Sequence, residues 1–239
     1  MKLIKFGVLL LAIVSLSSCH WDVNIGHTNG NGNVVTEERH VADFTEVKGT
    51  SGMDVYLTEG NENKVIVEAD ENLMAHIETY VENGRLIIKT KGNIGKAKAK
   101  KVYVTFTHLD KIMASSGADV IGQSVIKAET IMLDASSGAD LEVEVFAKEV
   151  YAETSSGSDI KVSGKATSLR ADASSGSDLN ARNLLVVDCR ADASSGADII
   201  VNVKEKLVTE ASSGGDIRYY GNPSEISKNK SASGSVRKM

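Results

Sequence analysis

Ser115-Ser116-Gly117-Ala118-Asp119 is the first of six copies of a Ser-Ser-Gly-x-Asp motif, the others opening at Ser136, Ser155, Ser174, Ser194 and Ser212. Looser copies stand at Thr50-Ser51-Gly52-Met53-Asp54 and at Ser233-Gly234-Ser235. The motif glycines at 117, 138, 157, 176, 196, 214 and 234 step by 21, 19, 19, 20, 18 and 20 residues. Near-constant steps of this size mark a repeat architecture, because a unit so short cannot bury its own apolar face and must stack on its neighbours.

The residues leading into each corner say what is stacked. Seven, five and three positions before the glycine stand Ile131, Leu133 and Ala135; Val150, Ala152 and Thr154; Leu169, Ala171 and Ala173; Cys189, Ala191 and Ala193; and Leu207, Thr209 and Ala211. The residues between them are mostly Asp, Glu, Arg or Met. A period of two is that of a strand. After the motif, Leu141-Glu-Val-Glu-Val and Ile199-Ile-Val-Asn-Val alternate again. Each repeat is therefore expected to hold two or three short strands separated by a Ser-Ser-Gly corner. Stacked about 4.8 Å apart, such coils make an all-β, single-domain, right-handed parallel β-helix, a solenoid of about 20 residues per coil. Alanines nearest the corner predict a narrow interior, and Cys189, in the slot of Val150 and Leu169, reads as a packing residue.

Both ends depart from the repeat, as solenoid caps do. Residues 35–110 are expected to form an N-terminal cap with the first strands, at Val41 to Val47, Met53 to Leu57, Val65 to Glu68, Arg85 to Lys89 and Val102 to Thr107, and a helical turn at Glu71 to Ala75. Regular coils follow over 111–218. Gly221-Asn222-Pro223 breaks the pattern before a last partial coil in a C-terminal cap over 219–239, with Tyr219 inward and Tyr220 outward.

Composition narrows the function. Of 239 residues 41% are hydrophobic and 25% charged, an ordinary globular balance. A net charge of -5 argues against nucleic acid as the partner, and two cysteines without a CxxC or Cys/His cluster supply neither a disulfide scaffold nor a zinc site. Lys2 and Lys5 precede an apolar run from Phe6 to Leu16, too short to span a bilayer, and Leu16-Ser17-Ser18-Cys19 follows. Residues 1–18 thus read as a lipoprotein signal peptide and Leu-Ser-Ser-Cys as a bacterial lipobox, with Cys19 acylated after cleavage. The Gly/Asn-rich stretch over 19–34 reads as a flexible tether from lipid to folded body.

The lipobox, Arg39-His40-Val41-Ala42-Asp43-Phe44-Thr45-Glu46-Val47 with Gly52-Met53-Asp54-Val55, Val81-Glu82-Asn83-Gly84-Arg85-Leu86-Ile87-Ile88 and the Ser-Gly-x-Asp ladder carry a resemblance. Over roughly residues 37–238 the chain resembles the auto-transporter adhesin, head GIN domain family, common among Bacteroidetes lipoproteins. The resemblance implies a β-helix and a cell-envelope setting, and it brings no catalytic residues.

Stacking predicts a column of Asp119, Asp140, Asp159, Asp178, Asp198 and Asp216. Charges so close repel, so the column must be solvated, hydrogen-bonded, partly protonated or bridged by cations. The structural expectation is that each Asp and Ser bonds the amides of its own corner, with glycine supplying the backbone freedom. Calcium is the competing reading, since oxygen-rich corners suit a hard cation; β-roll calcium repeats, however, have half this period and more glycine. No other cofactor is expected. A uniform column lacks the distinct acid and base roles of a carbohydrate-cleaving β-helix enzyme, and Ser158-Asp-Ile-Lys161 matches SxxK in one coil only. Lys96, Lys98, Lys100 and Lys101 alternate with alanine within a longer lysine-rich run, a candidate contact for an anionic partner. The sequence therefore predicts a non-enzymatic lipoprotein of the outer membrane, at the cell surface or its periplasmic face. It would present a repeated Ser/Asp face to a glycan or protein, with a calcium-stabilised scaffold as the alternative.

Overall fold

A computed structural model describes residues 26–231 and 233–239; the signal peptide, the lipobox and Cys19 lie outside the described residues. The chain runs through β1 (Val34–Arg39), β2 (Glu46–Gly49), β3 (Asp54–Glu59), β4 (Lys64–Asp70), a 3-10 helix (Glu71–His76), β5 (Ile77–Glu82), β6 (Arg85–Thr90), β7 (Lys100–Phe106) and β8 (Lys111–Ser115). Then come β9 (Asp119–Ser136), β10 (Asp140–Ser155), β11 (Asp159–Ala173), β12 (Asp178–Ala193), β13 (Asp198–Ala211), β14 (Asp216–Gly221), β15 (Glu225–Lys230) and β16 (Ser235–Lys238). All sixteen join one sheet wound into a parallel β-solenoid of about seven turns with about 19 residues per turn.

The corner is sharper than glycine alone makes it. The second serine of each motif also has positive φ, 58° at Ser137 and 53° at Ser195, followed by glycine at 66° and 73°. Two successive left-handed residues reverse the chain within one step, and serine tolerates that region at a modest cost. An added Cβ at Gly138 would meet nothing within 4 Å, so glycine is there for its dihedral and not for space. Corners are joined by backbone: Gly117 N–H donates to Ser137 O, Gly138 to Ser156 O and Gly157 to Ser175 O, at 3.1–3.2 Å. Among the described residues the Asp and the first two serines of the motif do not bond the amides of their own corner as expected; a serine at the x position does, Ser158 Oγ accepting from Ser155 N–H at 3.3 Å and Ser177 Oγ from Ser174 N–H at 3.2 Å. The side chains that do bond within a corner occupy the x position, where Ser158 Oγ donates to Ser155 O and Ser177 Oγ to Ser174 O, both at 2.8 Å.

Between corners each coil is one strand of 14 to 18 residues, not two or three short ones. Bends are absorbed inside it by bulges and by close approaches such as Gly164, whose φ is 108° and whose Cβ would lie 2.0 Å from Val145 O. The inward ladder Val55, Val120, Leu141, Ile160, Leu179, Ile199 and Ile217 is at most 1% exposed. Ala152, Ala171 and Ala191 line the narrow edge near the corner, and Cys189 is buried among them, its thiol pushed up by that burial. Where Thr154 interrupts the alanines, its hydroxyl meets Ser158 O at 3.0 Å and Ser158 Oγ at 2.7 Å, which satisfies a buried polar pair and accounts for Ser158 without chemistry.

The N-terminal cap is more ordered than its sequence suggests. β2 pairs in parallel with both β6 and β8, and β3 with both β7 and β9, so residues 46–59 form a true coil carrying the looser motif at Thr50 to Asp54. Residues 41–45 are not strand, whereas β1 and β5 are strands that alternation did not mark. β4 covers β7 antiparallel, β1 covers β4, and β5 covers β6, while Leu73 and Met74 of the 3-10 helix plug the core end. The tether expectation fails over its last residues: Thr28 bridges Ile94, Gly30 N–H donates to Lys96 O at 2.8 Å, and Gly32 N–H donates to Asp70. At the other end β15 and β16 form the last partial coil, and Lys228 Nζ sits 4.8 Å from the Tyr219 ring centroid, placing cationic charge at an open edge.

Candidate binding face

Parallel register makes the aspartate column real and one member longer than the motif count. Asp54, Asp119, Asp140, Asp159, Asp178, Asp198 and Asp216 are successive Cα partners, with Ser235 continuing the row. Its end is neutralised: Arg218 donates to Asp198 at 2.9 Å, and Arg218 and Arg237 both reach Asp216. Among the described residues Asp119, Asp140, Asp159 and Asp178 have no ion pair. Burial, then Asp140 and Asp54, push the Asp119 carboxyl up; burial, then Asp178 and Asp140, do the same at Asp159. Among the described residues no group of three or more His, Cys, Asp or Glu side chains is placed to hold a metal ion.

The lysine candidates divide. Lys100 Nζ turns onto the Gly52 carbonyl and Lys101 pairs with Glu68 at 3.5 Å, so both serve the fold. Lys96 and Lys98 point outward from the loop over 91–98 and are exposed.

A richer face lies on the other side of the corner, and its residues are those six and four positions before each motif glycine. Lys111, Met132, Tyr151, Arg170, Arg190 and Val208 form one outward row, and beside it run Asp134, Glu153, Asp172, Asp192 and Glu210. Lys111 pairs with Asp134 at 3.7 Å, Arg170 with Asp172 at 2.9 Å, and Arg190 bridges Asp192 at 2.9 Å and Glu210 at 3.5 Å. Burial raises the Asp192 carboxyl against the pull of Arg190. Met132 is 44% and Tyr151 40% exposed. Three adjoining depressions of about 290, 340 and 290 Å³ fall on this face, one over Glu153, Asp172 and Asp192, the next two against Arg170 and Tyr151. Alternation had assigned these side chains to solvent. Their signal was the recurrence of an Arg, Tyr or Met two residues before an acid, and only stacking turns that recurrence into a surface.

The model of the family described as "Putative auto-transporter adhesin, head GIN domain" matches residues 43–223. A solved structure titled a putative adhesin, from Bacteroides fragilis, superposes with a TM-score of 0.83 at 17% identity, covering 89% of this chain and all of that one. A Parabacteroides distasonis structure titled a putative lipid binding protein superposes with a TM-score of 0.74 at 20% identity, over 89% and 99% of the chains. A Parabacteroides merdae structure titled a putative adhesin gives 0.68 at 20% identity, with the same coverage. No curated protein matches the chain.

Proposed function

The chain belongs to the family of the auto-transporter adhesin head GIN domain, and from that premise we propose that it is a non-enzymatic binding module of the bacterial envelope, lipid-anchored through Cys19. The face of Tyr151, Arg170 and Arg190, flanked by the acids from Asp134 to Glu210, is its contact surface. The observation that carries this reading is the continuity of the shallow face across successive coils. An active site would be one local departure with distinct acid and base roles. Here an acid recurs coil after coil beside a row whose outward partners vary, which suits an extended glycan or polypeptide held by many weak contacts whose avidity accumulates. Tyr and Arg are the residue types that most often dominate such contacts.

The test is binding to glycan and matrix-protein arrays by the unsubstituted protein and its variants. Tyr151→Ala, Arg170→Ala and Arg190→Ala combined should lower binding at least about tenfold, while each alone has a small effect. Undiminished binding by the triple variant, or complete loss from one substitution, contradicts a distributed contact. External protease on intact cells, with lysed cells as the control, reads whether the face is turned outward.

A further inference from the structure

We propose that the loop over 91–98, at the N-terminal end of the solenoid, is a membrane-facing surface that binds anionic lipid headgroups. For its setting the proposal rests on the anchoring at Cys19 put forward above.

The loop pairs with the first described residues, those that follow that cysteine in sequence. Thr28 N–H donates to Asn93 O and Gly95 N–H to Thr28 O, each at 3.0 Å, and Lys96 N–H donates to Asn29 Oδ1 at 2.9 Å. Thr28 stands nine positions after Cys19. Even fully extended that stretch spans roughly 30 Å, so a lipid on Cys19 keeps this end of the solenoid within that reach of the bilayer.

The loop is also held in one shape. Asp70, fully buried, accepts Lys98 N–H at 2.7 Å and Ala99 N–H at 3.0 Å on one carboxylate oxygen and Gly32 N–H on the other. Ala99 is thereby turned inward, while Lys96, Lys98 and, at the start of the loop, Lys91 are exposed. Among the described residues these three lysines have no ion pair. Of the acids at this end, Asp70 is taken up by the loop's own amides, Glu71 accepts from Asn33 at 2.9 Å and Glu78 pairs with Lys89 at 3.3 Å. On a chain of net charge -5 this is a cationic end on an acidic body, an arrangement that turns the lysines toward a negative surface.

Cosedimentation with vesicles tests the proposal, using a form that begins at residue 20, keeps every described residue and carries no acyl chain. It should bind vesicles of phosphatidylglycerol mixed with phosphatidylcholine, not those of phosphatidylcholine alone, and salt should weaken the binding. Each lysine near such a surface multiplies partition about fivefold, so Lys91→Glu, Lys96→Glu and Lys98→Glu together should reduce it well over tenfold. The same charge change at Lys165, Lys204 and Lys206, on the far coils, should leave it unaltered. No binding by the unsubstituted form, or equal loss in both triple variants, overturns the proposal. Whether Cys19 is acylated is read separately from the mass of its peptide in cells, so a failure of anchoring and a failure of the loop give different results.

Discussion

Asp54 and Asp119 are direct partners in a parallel ladder, although the whole N-terminal cap separates them in sequence. The coil of residues 46–59 thus lies between the strands that follow it, with β6 and β7 on one side and β8 and β9 on the other. A segment threaded into the stack this way ties the cap to the regular coils.

Leu57, fully buried in that coil, packs between Val104 and the coil above. Leu57→Ala should cost about 2–5 kcal/mol. Chemical denaturation should show a lower midpoint with an unchanged slope, as for one cooperative unit. A cap that melts separately from residues 111–218 would contradict the threaded arrangement.

Asp70 governs how the N-terminal segment responds to acid. Hydrogen bonds from Ala99 foremost, then Gly32 and Lys98, hold its carboxyl below the usual value in spite of burial. A depressed native pKa gives stability that is complete above the unfolded carboxylate value, about 3.9, and is lost as pH falls through the native one. Acidification should therefore lower the hydrogen-exchange protection of Gly32, Lys98 and Ala99, measured against their intrinsic rates, before the coils unfold. Asp70→Asn should show that loss of protection already at neutral pH.

Asp159 carries the opposite sign. Its carboxyl is raised by burial and by Asp178 and Asp140, so its ionisation at neutral pH works against folding. Asp159→Asn should stabilise the protein by about 0.2–1 kcal/mol at neutral pH, the range for relieving like charges on paired strands. The gain should vanish as pH falls through the raised native value. A melting temperature lowered by the substitution would mean that the carboxylate is held by something other than solvent.

Thr209 takes the place of Ala191 in the inward row, and its buried hydroxyl has no partner among the described residues, unlike that of Thr154. Thr209→Val keeps the shape and removes the unsatisfied group, so it should stabilise by about 1 kcal/mol in thermal or urea unfolding. Thr154→Val, by contrast, should destabilise, because it removes a buried hydroxyl that bonds both Ser158 O and Ser158 Oγ.

The repeat itself was legible because its cause is local. Period-two alternation, a left-handed corner and a fixed step all act within about 20 residues, and they were enough for the solenoid, for buried Cys189 and for inward Tyr219. The cap was less legible. β1 depends on an antiparallel partner far along the chain, β5 on a hairpin with β6 across Asn83-Gly84, and Asn29 to Asn33 have no apolar pattern, yet Asp70 and Lys96 capture them. The acidic ladder was read correctly as a column, but its neighbours Arg170, Arg190 and Tyr151 differ in type from coil to coil, so no motif announced them.

By itself, then, the sequence determined that this chain stacks, at what period, and which side chains face in, since those follow from backbone geometry and burial within one coil. Only the tertiary structure decided the order of stacking, the capture of residues 28–33 and the division of Lys96 and Lys98 from Lys100 and Lys101. Those outcomes depend on which distant groups compete for the same edge or the same carboxylate, and that competition takes place between segments that meet only once the chain has folded.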